Sequence, residues 1–179
     1  MSLLSIGPVD DTLWPGIQHV QAEVYHQIEP ESTAVLRSKW LASPDCCFVA
    51  RAREGNPGRN PVMAYLLAHA WNRDTPPKLY QPVAPEDGKG NQLFLHDLAV
   101  SRRAAGLGLG RKMFESLLAV ARKRNFSQIL LVAVQGSVPF WRKMGFEPVA
   151  GAQASASYGG DATVMRRVLI ERPVGWSGR

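Results

Sequence analysis

Cysteine is nearly absent: Cys46 and Cys47 are the two in the chain, and they are adjacent. Neighbours in an extended strand point to opposite faces, so these two are badly placed to bridge each other. A disulfide framework is thereby excluded, and the pair fits buried thiols of a reducing cytoplasm. The histidines are few and scattered (His19, His26, His69, His96), with no paired His/Cys spacing, so no metal site is expected. No apolar run approaches the roughly 20 residues of a membrane span. The opening segment MSLLSIGPVDD has no basic residue and meets two acids early, which argues against a secretory signal and for a cytoplasmic location. No run of Lys and Arg exceeds three, at Arg122-Lys123-Arg124, and no internal repeat is visible.

What remains is one domain spanning 1–179, with a core over about 16–170. The chain has 45% hydrophobic and 20% charged residues, a globular balance. Its net charge of +6 suits a polyanionic partner, either nucleic acid or a phosphorylated cofactor, with a merely solvated surface as the plain alternative. The lysine–arginine run closes a helix, where cations complement the macrodipole, so nucleic acid ranks low.

Helical periodicity covers 16–28 and 31–42. Strands are predicted over 45–51 and 61–71, joined as a hairpin by a turn at Glu54-Gly55-Asn56-Pro57-Gly58. The stretch 74–90 is rich in Pro, Gly and Asp and is a long loop, and loops of that length are often functional. A strand follows at 92–100. The clearest helix runs from Gly110 to Arg124, with Met113, Phe114, Leu117, Leu118 and Ala121 on one side. The apolar segment 128–134 reads as a strand covered on both faces. A short helix at 138–144, with Ser137 as N-cap and Gly145 as stop, precedes strands at 146–149 and 162–170. The order describes a mixed α/β sheet with a β-α-β crossover in its middle.

Chemistry concentrates between Leu93 and Phe146. Ala105-Gly106-Leu107-Gly108-Leu109-Gly110-Arg111 follows a strand and opens a helix. Glycines there let the backbone turn tightly and present bare N–H groups, and the helix N-terminus adds positive potential. Such a loop suits a phosphate or pyrophosphate; alternatively it permits only close helix–strand packing. The dinucleotide fingerprint G-x-G-x-x-G fails, because Arg111 stands three after Gly108 and no acid follows about 20 residues on. The P-loop pattern fails as well, since Gly110 is followed by Arg111-Lys112-Met113 with no Ser or Thr for magnesium.

Leu98-Ala99-Val100, five residues, then Gly106-Leu107-Gly108-Leu109-Gly110-Arg111 is similar to the acetyl-CoA-binding motif of the GCN5-related N-acetyltransferases, the GNAT family. Phe140-Trp141-Arg142-Lys143-Met144-Gly145-Phe146 resembles that family's F-Y-x-x-x-G-F segment. The likeness extends over roughly 16–170, with specific motifs only in 93–146. It implies a GNAT-type fold: a mixed, mostly antiparallel sheet flanked by helices, with a central β-α-β crossover that binds acetyl-CoA. With Gly108 and Gly110 as the glycine pair, Ala105 takes the position where the family carries Gln or Arg. Trp141 stands where many members carry a tyrosine thought to protonate the departing thiolate. Indole N–H is a very poor acid, so Trp141 is expected to pack beside the pantetheine.

The implied reaction is direct acetyl transfer from acetyl-CoA to an amine, with no metal. Leu98, Ala99, Val100, Ala105 to Arg111, Ser137, Phe140 and Trp141 would hold the donor. Asp97 and His96 are the candidates for proton transfer; both also have plain structural roles open to them. Strand alternation places them on opposite faces, with at most one toward the cleft. Tyr25, Glu29 and Tyr158 could line the amine site, with Tyr25 and Glu29 sharing a helical face. The expected acceptor is a small-molecule amine, with a protein N-terminus or lysine as the alternative. A non-catalytic acyl-CoA sensor is the alternative outside enzymes. Homodimers are common in the family, and no membrane partner is expected.

Overall fold

The computed structural model describes residues 4–53 and 59–170. Seven strands form one sheet in the order β1-β2-β3-β4-β5-β7-β6. They are β1 (Leu4–Pro8), β2 (Phe48–Ala52), β3 (Val62–Trp71), β4 (Gln92–Val100), β5 (Gln128–Ala133), β6 (Glu147–Pro148) and β7 (Thr163–Val168). The helices are α1 (Trp14–Val24), α2 (Thr33–Ala42), α3 (Leu109–Lys123) and α4 (Val138–Lys143). All pairs are antiparallel except β4 with β5, the pair that α3 connects. A mixed, mostly antiparallel sheet around one β-α-β crossover is therefore present.

Several boundaries moved. β1 lies ahead of the expected core, and its five residues were too short and too mixed to announce a strand. α1 ends at Val24 rather than 28, so Tyr25 and Glu29 do not share a helical face. α2 is capped by the Ser32 hydroxyl, which accepts from the Val35 N–H. The expected strand 146–149 contracts to two residues. The hairpin turn at 54–58 lies outside the described residues.

The sheet separates two apolar layers. α3 lays Met113, Phe114, Leu117 and Ala121 over one face, against Leu66, Ala68, Leu95, Ile129 and Leu131. α1 and α2 cover the other, with Ile17, Val20 and Leu36 against Val49, Tyr65 and Leu67. Cys46 and Cys47 point into opposite layers, and both are free and buried. No helix of the described residues is long and apolar enough to cross a membrane.

Gly90 sets the entry into β4. A Cβ there would lie 2.4 Å from the Trp71 carbonyl oxygen and 2.8 Å from its carbon, both backbone atoms. Neither can swing away, so Gly90→Ala is expected to cost about 1–3 kcal/mol. A midpoint unchanged in urea unfolding would contradict this.

Candidate active site

β4 and β5 pair only over Leu93–Leu95 against Ile129–Leu131. Beyond that point the peptide edge of β4 has no β5 partner, and the strands diverge around a cavity of about 590 Å³. Leu98 and Val100 line one side of this wedge, and Val132 and Val134 the other. One end opens on the glycine loop. The other ends among Gln21, Glu31, Leu79 and Tyr158.

The loop is shaped by backbone conformation rather than by crowding. Gly106 (φ 77°) and Gly108 (φ 66°) are left-handed, and a Cβ on either would meet nothing within 4 Å. Gly108 is the N-cap of α3, and the first helical bond runs from the Lys112 N–H to the Gly108 carbonyl. The N–H groups of Leu109, Gly110 and Arg111 thus precede the helical ladder and share its positive end. Ala105 is extended, at φ −60° and ψ 145°. The open, left-handed glycines beside free N–H groups fit a diphosphate, whose oxygens need close backbone approach.

Every candidate cofactor residue lines the cavity except Ala99 and Leu107. Ala99 is buried against the α1 layer, opposite Tyr65. Leu107 stands 55% exposed at the loop tip. Ser137 occupies the N-cap position of α4 but makes no side-chain capping bond. Trp141 is buried, edge-on to Phe114, Phe140 and Phe146, so it serves the α3 core as well as the cavity wall.

The expectation that His96 and Asp97 face opposite sides is corrected by a β-bulge. Leu67 pairs with Asp97 while Ala68 pairs with Leu95, leaving His96 as the extra residue. The bulge shifts the phase of alternation, and both side chains turn toward the α1–α2 layer. Asp97 accepts a hydrogen bond from the Tyr25 hydroxyl on one carboxylate oxygen and from the Tyr65 hydroxyl, at 2.5 Å, on the other. Burial holds the Asp97 carboxyl above its ordinary range, against the opposing pull of His96 and the two phenols. Burial beside Asp97 raises both phenols well above theirs.

His96 Nε2 lies 2.5 Å from Glu31 Oε1, and both side chains are almost fully covered. Burial pushes the Glu31 carboxyl up, but His96, the Tyr80 N–H and Lys39 outweigh it and leave it below its ordinary value. An ionised carboxylate only accepts, so Nε2 carries the proton. Glu31 is fixed through its backbone too: its N–H donates to Gln21 Oε1 at 2.8 Å, and its carbonyl accepts from Gln18 and Gln21. Lys39 is fully buried, donates to the Gln81 carbonyl at 2.8 Å, and is lowered by burial to about 8.

Glu31, Gln21, Tyr65 and Lys39 were not singled out by the sequence. Glu31 resembled an ordinary helix-start acid, and Tyr65 one more apolar strand residue. The Gln18 and Gln21 pair on the inner side of α1 was the available signal, because buried amides demand partners. Tyr25, Glu29 and Tyr158 all reach the cavity. Among the described residues no group of His, Cys, Asp and Glu could hold a metal ion.

A sequence model of the acetyltransferase (GNAT) family matches residues 14–146. The chain belongs to this family. No curated protein sequence matches. Among solved structures, Ard1 from Thermoplasma volcanium superposes with a TM-score of 0.70 at 16% identity, over 95% of this chain and 100% of that one. The loading GNATL domain of CurA from Lyngbya majuscula gives 0.76 at 8% identity, over 93% and 98%. Arabidopsis thaliana Naa50, in complex with a bisubstrate analogue CoA-Ac-MVNAL, gives 0.66 at 13% identity, over 94% and 100%. At these identities the likeness concerns the GNAT fold alone.

Proposed function

We propose that this GNAT protein transfers the acetyl group of acetyl-CoA directly to the primary amine of a small molecule. The observation that carries it is one continuous cavity. The helix-start glycine loop opens at one end, the buried Asp97 cluster lies at the other, and the unpaired edge of β4 runs between them.

The N–H groups of Leu109 to Arg111 would hold the pyrophosphate, and the β4 edge near Leu98 and Val100 would pair with the pantetheine amides. Phe140 and Trp141 would pack along the arm. An ammonium has no lone pair, so it must lose a proton before it attacks the thioester carbonyl. Asp97 and His96 are the groups placed near enough to serve, and a β4 N–H would stabilise the charge on the carbonyl oxygen.

A small acceptor is supported by the way the far end is roofed. Tyr158 donates to the Pro77 carbonyl at 2.7 Å, and Leu79 is buried in the cavity wall. The Tyr80 N–H donates to Glu31 at 2.7 Å, and its hydroxyl donates to the Glu29 carbonyl at 3.1 Å. The stretch 74–90 is thus tied both to the segment before α2 and to the loop before β7, which bounds this end of the cavity. A peptide terminus is the second reading, favoured by the peptide-derived analogue bound in Naa50.

Thiol release from acetyl-CoA over a panel of small amines and short peptides decides between them. Release with a small amine class is the expected result. Release with peptides alone supports the second reading, and no release with any amine removes the enzyme assignment.

A further inference from the structure

Both oxygens of the Asp97 carboxylate are occupied by phenols, and the two phenols differ in access. Tyr65 is fully buried in the α1-side layer. Tyr25 follows the last turn of α1, is half-buried, and lines the cavity. Its hydroxyl also sits 3.4 Å from the Leu98 carbonyl, at the edge of the wedge. Asp97 itself is only 8% exposed. Asp97 reaches the cavity as well, but each of its oxygens is covered by a phenol, and Tyr25 Oη is the more exposed partner of the pair.

We propose that Tyr25 is a catalytic residue, relaying the acceptor's proton to Asp97, with Tyr65 as the positioning residue that fixes the carboxylate. This rests on the acetyl transfer to an amine proposed above. The acceptor ammonium gives one proton to Tyr25 Oη while the phenol gives its own to Asp97 Oδ1. The products are a neutral amine, a neutral phenol and a protonated carboxyl. The amine nitrogen then forms the C–N bond, the C–S bond breaks, and the second nitrogen proton goes to the departing sulfur as the thiol forms. Asp97 returns its proton to water by the same route. No phenolate accumulates, which suits a tyrosine hydrogen-bonded to an acid.

The groups facing Asp97 are Tyr25 after α1, Glu31 before α2, Tyr65 on β3, His96 on β4 and Tyr158 before β7. Lys39 on α2 faces Glu31 behind them. His96 and both phenols oppose the upward effect of burial on this carboxyl. Removing the Tyr65 hydroxyl takes away one of those donors, so the Asp97 carboxyl should titrate higher.

The test uses the full chain with an amine that the wild type acetylates. Tyr25→Phe should lower kcat by about 100-fold, the scale of a lost general acid–base group. Its KM for acetyl-CoA and its thermal stabilisation by coenzyme A should stay as in the wild type. Tyr65→Phe should move the acidic limb of the kcat profile to higher pH, and the carboxyl-carbon resonance of Asp97 should report the same upward move without turnover. A merely structural tyrosine would leave that limb in place. Wild-type kcat in a folded Tyr25→Phe, or an unmoved limb in Tyr65→Phe, overturns the relay and leaves acetyl transfer standing. A wild type that releases no thiol with any amine overturns acetyl transfer and the relay with it.

Discussion

Gly108→Asp is expected to weaken coenzyme A binding by about 100-fold, equivalent to roughly 2.8 kcal/mol. Three effects act in one direction. Gly108 holds φ 66°, a conformation that costs most L-residues roughly 1–2 kcal/mol, though Asp tolerates it better than most. Nothing lies within 4 Å of its missing Cβ, so the new carboxylate would project into the space beside the free N–H groups where the diphosphate is expected. A negative charge at the start of α3 would also compete for the potential that attracts the phosphates. Gly108→Ala carries the backbone cost without the charge and should show a smaller loss. The check is the thermal shift on adding coenzyme A, which scales with ligand concentration over Kd. A folded Gly108→Asp that keeps the wild-type shift would remove the loop from the cofactor site.

The largest expected effect on stability comes from His69. It is fully buried on β3, with Nδ1 2.8 Å from the Ala70 carbonyl and Nε2 without a hydrogen-bond partner among the described residues. Trp71 and Phe94 pack around the ring at centroid distances of 5.6 and 5.8 Å. Burial lowers its pKa from 6.5 to about 3. The unfolded chain then binds a proton that the folded chain refuses, so stability is full above pH 6.5 and declines as the pH falls toward 3. The loss over that window is about 5 kcal/mol at 1.36 kcal/mol per pKa unit. His69→Phe keeps a flat ring among the aromatics and removes the titrating group. Urea unfolding at pH 7, 5 and 4 should show a steeper decline for the wild type than for the variant. Glu31 and Asp97 also titrate in acid, in opposite senses, but they are common to both proteins and cancel in the comparison. Parallel declines would mean that the ring is charged in the folded state, or that another group governs acid unfolding.

Much of the fold was legible because its signals are local. The stripe of α3, the apolar run of β5 and the glycines before Leu109 each name their element within a few residues. The glycine-loop end of the cavity was legible for the same reason, since a helix start and its glycines are contiguous in the chain. The far end was legible only in part: Tyr25 and Tyr158 were named from the sequence, but Glu31 and Tyr65 come from two further segments and carry no pattern of their own. The His96 and Asp97 geometry was hidden for a different reason: one extra residue in β4 inverts the alternation, and a bulge leaves no compositional mark. β1 was missed because four half-covered residues and an exposed proline at an edge show neither an apolar run nor a clean alternation.

The diverging ends of β4 and β5 do not hang free. The Glu23 carboxylate accepts from Ser101 and from the Arg102 N–H, anchoring α1 at the end of β4. On the other side the Gln135 amide donates to the Val24 carbonyl and accepts from the N–H groups of His26 and Gln27. Gln135 does this from a left-handed backbone, at φ 51°, two residues past the end of β5. The last turn of α1 is therefore a crossbar, and with the two strands it closes a triangle. A triangle of fixed sides cannot change one angle alone, so the gauge of the slot is set by the crossbar rather than by the strands. Discrimination among acyl chains by thickness would then be governed by a helix end and a glutamine, neither of which need touch the acyl group.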